Sequence, residues 1–230
     1  MSFILQIETA TTSCSVALAI DGYISAFKQV NERNIHAEVI TLFIDELLTK
    51  TGITYDDINA IAVSSGPGSY TGLRIGISTA KGLCFALDKP LIAIETLEAM
   101  AYGVLNNQDI LVDKDTLLCP MIDARRMEVY CALFNSEGLK VRATAADIID
   151  EYSFDEFLTG HKVLFFGDGA DKCEATLGSN PNAQFLTGFV NSATYLTQKA
   201  IEKFNKKEFE DVAYFEPYYL KDFIAGKKAL

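Results

Sequence analysis

Three short apolar runs separated by turn residues precede the first predicted helix of this chain. The runs are Phe3 to Ile7, Cys14 to Ile20 and Ile24 to Phe27, and each has the length of a strand. Asp21-Gly22, between the second and third runs, predicts a tight hairpin. A helical pattern follows over His36 to Lys50, where apolar residues recur at intervals of three and four. This order excludes a plain alternation of strand and helix and predicts a mixed sheet covered by helices.

The next segments alternate strand and helix and then return to strands. A buried strand over Ala60 to Ser64 leads into a helix over about Thr71 to Leu87, and a strand over Leu91 to Glu95 leads into another helix. Polar residues replace this pattern over 106–115, and new strands begin at Leu117. We therefore predict an α/β fold with two lobes of mixed sheets flanked by helices. The predicted limits are 1–108 for the N-terminal lobe, 109–210 for a smaller C-terminal lobe and 211–230 for a C-terminal tail.

Net charge and cysteine spacing limit the classes of function. The formal net charge of −11 opposes nucleic-acid binding by the chain alone, because phosphate contacts require a surface rich in lysine and arginine. Lys227 and Lys228 are predicted to lie in a solvated tail. The five cysteines lack CxxC spacing, which predicts buried thiols in a reducing compartment. Since neither a membrane helix nor a signal peptide is recognisable, we predict a cytoplasmic protein that does not contact membranes.

The segment GPGSYTG, Gly66 to Gly72, joins a predicted strand to a predicted helix. Backbone N–H groups at a helix N-terminus bind anions, and glycine permits a phosphate to approach closely. The alternative is a tight turn capped by Ser69 or Thr71, and the sequence leaves both interpretations open. The spacing matches neither GxGxxG nor GxxxxGK[ST], which excludes the dinucleotide-binding and Walker-type motifs.

Two further turns extend the anion-site hypothesis. The first strand-to-strand turn carries hydroxyl groups and a carboxylate, and GDGA follows a later strand, although the polar groups would equally satisfy turn backbone. The residues assigned to this nucleotide site are Glu8, Thr9, Thr11, Gly66, Gly68, Gly167 and Gly169. His36 and His161 lie far apart without metal-binding spacing, and no serine has a recognisable His/Asp pair. We therefore predict neither a metal site nor catalytic residues.

Interior glycines mark the helix after the glycine-rich segment. Gly72 and Gly76 share one face, although glycine inside a helix costs about 1 kcal/mol relative to alanine. Close approach of another helix or of backbone would offset that cost. The preceding helix carries Leu42 outside its apolar stripe, which indicates a second packing neighbour. We therefore predict a partner interface formed by His36, Val39, Ile40, Phe43, Leu47, Gly72, Arg74, Ile75, Gly76, Thr79 and Leu83.

Five segments spanning nearly the whole chain resemble the TsaB family, formerly called YeaZ. They are ILQIETATTSCSVALA, HAEVITLFIDELL, SSGPGSYTGLRIGISTAKGL, MIDARRMEVYCALF and EPYYLKDF. The glycine block and IDAR-x-x-EVY are specific to this family, whereas the N-terminal ET-A-T pattern is shared across the actin and sugar kinase superfamily. The resemblance implies a two-lobed actin-like ATPase fold, which is RNase H-like.

The resemblance also implies a function in forming N6-threonylcarbamoyladenosine beside the anticodon of tRNA. In that scheme the chain is a non-catalytic subunit that binds the paralogous transferase TsaD through helices of its first lobe. TsaE supplies an ATPase, tRNA is contacted only within the complex, and no cofactor is required. Where TsaD has a metal-binding HMEGH, this chain reads TLEAM, Thr96 to Met100, so both histidine ligands are missing.

Several alternatives stay open at this point. The isolated chain could form a homodimer, and ATP or ADP could bind in the cleft. An ATP-dependent phosphotransferase using Glu8, Thr9, Thr11 and Gly68 is the alternative function. An older glycoprotease label of the family would require a zinc site, which two distant histidines oppose.

Overall fold

The computed structural model describes residues 1–221, and their N-terminal part forms a five-stranded sheet. Its order is β3-β2-β1-β4-β5, with β1 to β3 antiparallel and β4 and β5 added in parallel. The strands are β1 (Phe3–Glu8), β2 (Ser13–Ile20), β3 (Tyr23–Asn31), β4 (Ala60–Ser64) and β5 (Leu91–Ile94). The mixed sheet and the hairpin at Asp21-Gly22 are thus confirmed. Both hairpin residues have positive φ, 49° and 83°, which suits Asp and Gly.

A second five-stranded sheet repeats this arrangement in the order β10-β9-β6-β7-β8. Three antiparallel strands are again followed by two parallel ones. The strands are β6 (Thr116–Asp123), β7 (Glu128–Phe134), β8 (Lys140–Ile148), β9 (Lys162–Phe166) and β10 (Ala183–Leu186). The predicted α/β fold of two lobes is confirmed. The sequence pattern does not predict β10, because its four residues are exposed or only half-buried and carry no apolar alternation.

Helices cover the two sheets. They are α1 (His36–Thr51), α2 (Tyr70–Leu87), α3 (Thr96–Leu105), α4 (Asp155–Leu158), α5 (Glu174–Leu177) and α6 (Thr197–Lys206), with short 3-10 helices at Tyr55–Asp57, Asp171–Cys173 and Ala193–Leu196. Gly52 ends α1 in the left-handed conformation, with φ of 71°. The 3-10 helix that starts at Ala193 continues as α-helix from Thr197.

The two faces of the first sheet are covered by different segments. On one face α1 and α2 pack against residues such as Leu5 and Val16. On the other face Leu196 and Ala200 pack against Ile4 and its neighbours. Residues 193–206 therefore pack on the first sheet, although they follow the second sheet in sequence. The lobe limits 1–108 and 109–210 stay a prediction. Residues 193–206 fall within the second predicted lobe in sequence but pack on the sheet of the first.

Helix α3 connects the lobes through an apolar contact. Leu97, Met100 and Val104 belong to one cluster with Leu118 and Phe166 of the second sheet. The α3 N-cap, Glu95, also forms an ion pair with Lys140 at the start of β8. The relative position of the two sheets is thus set by buried apolar side chains as well as by charge.

Two further expectations concern the whole chain. All five cysteines are free and buried, which confirms the predicted buried thiols. None of the helices within residues 1–221 has the length and apolar character needed to cross a membrane. The cytoplasmic location stays a prediction. Residues 222–230, which include Lys227, Lys228 and the last part of the predicted tail, lie outside the described residues.

Candidate functional site

The glycine-rich segment connects β4 to α2 at the edge of the sheet where the parallel strands β1 and β4 end. Ser69 is the N-cap of α2, and its Oγ accepts a hydrogen bond from Gly72 N at 3.2 Å. The backbone N–H of Ser69 itself donates to Ala10 O at 2.7 Å. The capped turn, one of the two interpretations left open by the sequence, is therefore present.

The turn between β1 and β2 fills the space beside these glycines. A Cβ atom at Gly68 would overlap Ala10 O, and one at Gly72 would overlap Thr9 O. A Cβ atom at Gly76 would overlap Thr9 Oγ1. Close approach of backbone therefore explains the interior glycines, as predicted, but that backbone belongs to the same chain. Gly72 and Gly76 consequently give no support to a contact with a partner.

The C-terminal tail covers the start of the segment. Tyr218 N donates to Ser65 O at 2.7 Å, and a Cβ atom at Gly66 would lie 2.6 Å from Tyr218 O. The Tyr219 ring packs on Tyr70 with 4.9 Å between ring centroids. Beyond this contact, Lys221 forms an ion pair with Glu128 of β7. The tail thus passes over Gly66 and reaches the second lobe.

The remaining residues of the predicted nucleotide site also meet their own chain. A Cβ atom at Gly167 would overlap Met121 O, and one at Gly169 would lie 2.8 Å from Ile122 C. Thr11 is partly exposed, and its carbonyl oxygen lies 3.0 Å from His36 Nε2. Each close approach that these glycines permit is thus used for internal packing. Nucleotide binding stays a prediction, and the contacts around the glycines favour the structural interpretation.

Glu8 is the most unusual titratable residue of this region. It is fully buried, and burial raises the pKa of its carboxyl to about 7. Its Oε1 accepts a hydrogen bond from Ala10 N at 2.5 Å, and nearby Ser64 and Asn191 lower the pKa by less than burial raises it. Among residues 1–221, Glu8 Oε2, Ser64 Oγ and Asn191 Nδ2 have no hydrogen-bond partner. The carboxyl therefore gains or loses a proton near neutral pH inside the fold.

Burial divides the eleven residues of the predicted partner interface. His36, Ile40, Leu47, Gly72 and Gly76 are buried within the chain; Val39, Phe43, Ile75, Thr79 and Leu83 are half-buried; Arg74 is exposed. The five buried residues pack inward in this conformation, because the apolar stripe of a helix faces its own sheet. A partner would therefore meet only the half-buried and exposed residues.

The outward side of these two helices carries apolar residues that the predicted interface omitted. Phe85 of α2 is 86% exposed and Leu42 of α1 is 56% exposed. Gly82 of α2 has open space around the position of a Cβ atom. The helical pattern contains a signal for Phe85, because it lies away from the stripe formed by Leu73, Ile77 and Ala80.

The two positions that the resemblance relates to metal-binding histidines have structural roles here. The buried Oγ1 of Thr96 accepts a hydrogen bond from Gly66 N at 3.1 Å. Met100 is 1% exposed and packs in the apolar cluster between α3 and the second sheet. Within residues 1–221, no three His, Cys, Asp or Glu side chains are grouped to hold a metal ion.

Sequence comparison finds relatives whose names all refer to one modification of tRNA. The family model described as TsaD, tRNA N6-adenosine threonylcarbamoyltransferase, matches residues 30–219. The tRNA threonylcarbamoyladenosine biosynthesis protein TsaB of Escherichia coli is 40% identical over 134 residues, which are 58% of this chain and 55% of that protein. TsaB of Haemophilus influenzae is 29% identical over 98% of this chain and 96% of its own length. The match thus spans about half of the first relative and nearly all of the second.

Structural comparison confirms the fold. A Pseudomonas aeruginosa protein described as uncharacterized, with similarity to peptidase YeaZ, has a TM-score of 0.83 and 25% identity, covering 96% of this chain and 100% of that one. The activator of 2-hydroxyisocaproyl-CoA dehydratase from Clostridium difficile, solved with ADPNP, has a TM-score of 0.52 and 10% identity, covering 91% and 98%. The second likeness shows the fold alone, which is the predicted two-lobed actin-like ATPase fold.

Proposed function

Since this chain belongs to the family of TsaD, tRNA N6-adenosine threonylcarbamoyltransferase, and within it to the TsaB (YeaZ) group, we propose that it takes part in forming N6-threonylcarbamoyladenosine in tRNA. The modified adenosine would lie beside the anticodon. In this proposal the chain is a non-catalytic subunit that binds and supports the TsaD transferase. TsaE would complete the assembly, and tRNA would be contacted only within it.

The packing of the β1–β2 turn into the glycine-rich segment carries the proposal of a non-catalytic role. The carbonyl oxygens of Thr9 and Ala10 lie where a phosphate would have to approach Gly68 and Gly72. A carbonyl oxygen repels a phosphate oxygen, because both carry negative charge. Catalysis by phosphoryl transfer would thus require the turn to move away from α2.

The outward side of α1 and α2 supports the proposal of a protein partner. Phe85 and Leu42 expose large apolar side chains to solvent, and Gly82 leaves room for a close approach. Exposed large apolar side chains, aromatic ones above all, are typical of protein interfaces. Ser78 and Ala86 are exposed on the same side of α2 as Gly82. We define this surface as the α1–α2 face.

The structure determines which variants test the interface. A bulky charged side chain at Gly76 would overlap Thr9 Oγ1 and disturb the fold, so it does not test the interface alone. Phe85→Asp and Leu42→Asp place a charge on the α1–α2 face without disturbing the core. Tyr23→Asp is the matched control, since Tyr23 is 80% exposed on β3. We expect the first two variants to lose the heterodimer with TsaD in size-exclusion chromatography and the control to retain it. Intact heterodimers of both variants would overturn the interface.

The function itself is tested by reconstitution. TsaD, TsaE, threonylcarbamoyl-AMP and tRNA are incubated with and without this chain, and the modified nucleoside is measured by mass spectrometry. We expect formation only when the chain is present. Equal yields without it would refute the proposal. ATP turnover by the isolated chain would instead favour the alternative phosphotransferase, and self-association through the α1–α2 face would appear as a homodimer.

A further inference from the structure

The turn between β6 and β7 holds two adjacent arginines in a backbone conformation that suits glycine. Arg125 has φ of 71° and Arg126 has φ of 51°. Both residues are exposed. Left-handed backbone is strained for side chains other than Asn, Asp and Gly, so such residues point to a role for their side chains. These are two of the five arginines in the whole chain.

Groups other than the two arginine side chains hold this turn. Ala124 N donates to Glu128 O at 3.0 Å, and Arg125 N donates to Asp123 Oδ1 at 2.9 Å. Lys172 Nζ donates to Arg126 O and to Glu128 O, both at 2.7 Å. The strained backbone is thus fixed by its surroundings. The two guanidinium groups contribute nothing to its geometry and are available for another purpose.

The two acidic side chains that flank the turn in sequence are already paired. Asp123 forms an ion pair with Lys172, and Glu128 forms one with Lys221. Within residues 1–221, neither the Arg125 nor the Arg126 guanidinium has a hydrogen bond or an ion pair with a side chain, unlike Arg142, which binds Asp147. A chain with a net charge of −11 therefore presents two unpaired positive charges side by side at a fixed turn.

We propose that the Arg125–Arg126 turn binds the phosphodiester backbone of the RNA substrate within the proposed complex. This inference rests on the proposed function, which supplies an RNA. The planar guanidinium presents several N–H donors in a fork that fits two oxygens of one phosphate. Phosphate contacts set the orientation of a nucleic acid without reading its sequence. Because the chain as a whole carries a net charge of −11, phosphate contact at this turn rather than over a broad surface would orient the tRNA.

The replacement Asn-Gly separates this role from a structural one. Asn and Gly both accept left-handed backbone, so the double variant R125N/R126G removes two charges and also relieves strain. We expect a higher melting temperature together with weaker RNA binding. The matched control is K206N/K207G, at the exposed end of α6, where Lys207 has φ of 58°. It removes the same charge at a distant site, and it relieves left-handed backbone at one residue, Lys207, rather than at two.

The test measures binding of tRNA to the reconstituted complex at several salt concentrations. We expect R125N/R126G to weaken binding about tenfold at low salt and to reduce the slope of log K against log salt by about 1.4 to 1.8, as loss of two phosphate contacts predicts. The KM for tRNA should rise while kcat stays unchanged. The control should match the unaltered complex in binding, in slope and in KM.

Two results would overturn this inference. Unchanged tRNA binding by R125N/R126G would show that the turn does not contact RNA. A weakened heterodimer with TsaD, with tRNA binding intact, would assign the turn to an acidic protein surface instead. Neither result bears on the proposed function, which is judged by whether the unaltered chain is needed for the modified nucleoside to form.

Discussion

Replacing Glu8 with glutamine should stabilise the fold at pH 8 and change it little at pH 5. The carboxyl is fully buried, and burial raises its pKa from 4.5 to about 7. A group whose pKa is raised on folding binds its proton more tightly in the folded state, so an acid of this kind stabilises the fold only while it is protonated. As the pH rises from 4.5 to 7, the Glu8 carboxyl ionises in the unfolded chain but stays largely protonated in the folded chain. Stability is therefore lost over that interval.

The magnitude follows from the size of the shift. One pKa unit corresponds to about 1.4 kcal/mol, so the raised pKa of Glu8 implies a loss of about 3 kcal/mol by pH 8. Glutamine keeps the volume of the side chain and the oxygen that accepts from Ala10 N, but it carries no charge. The variant should therefore escape most of this loss, and its advantage over the unaltered chain should grow with pH.

Urea unfolding of both proteins between pH 5 and 8.5 measures this difference directly. Glu137→Gln is the control, because Glu137 is an exposed glutamate in the turn before β8 and its replacement should have no pH-dependent effect. A constant difference between E8Q and the unaltered chain across this range would refute the reasoning. So would a variant that is less stable at pH 8, because the Glu8 charge would then be stabilising.

Three other substitutions test packing and charge. Gly82→Ala should raise the free energy of unfolding by about 1 kcal/mol, because alanine favours helix and the space is open; Gly76→Ala should lower it by about 1 to 3 kcal/mol, because the methyl group meets Thr9. Urea unfolding compares the two, and equal effects would contradict the packing. Burial raises the pKa of Asp147, but the hydrogen bonds from Arg142 and Cys131 and the charge of Arg142 together outweigh burial, and the net pKa is lowered. Asp147→Asn should therefore cost about 1 to 3 kcal/mol at pH 7, and thermal melts should show the difference shrinking as the pH falls through the lowered pKa.

The strands and helices of the first lobe could be predicted because their sequence patterns are local. The run Ala60–Ser64 is a strand from end to end. The helix predicted over His36 to Lys50 ends one residue later, at Thr51. In contrast, β10 is held mainly by its parallel partner β9, since Phe185 stacks on Phe165 with 5.2 Å between ring centroids. A strand that depends on a neighbour distant in sequence leaves little trace in its own residues.

The candidate site shows the same limit more clearly. Interior glycines indicate that another group approaches α2 closely. A glycine at position 76 is equally compatible with a phosphate, a partner protein or Thr9 of the same chain as that group. Only the fold decides between these, because the β1–β2 turn is distant in sequence. The arginine turn is the converse case: Arg125 lies in the IDAR-x-x-EVY motif, but the positive φ angles of Arg125 and Arg126 are visible only in the fold. An outlier of backbone geometry thus indicates a role for these side chains that their sequence alone does not reveal.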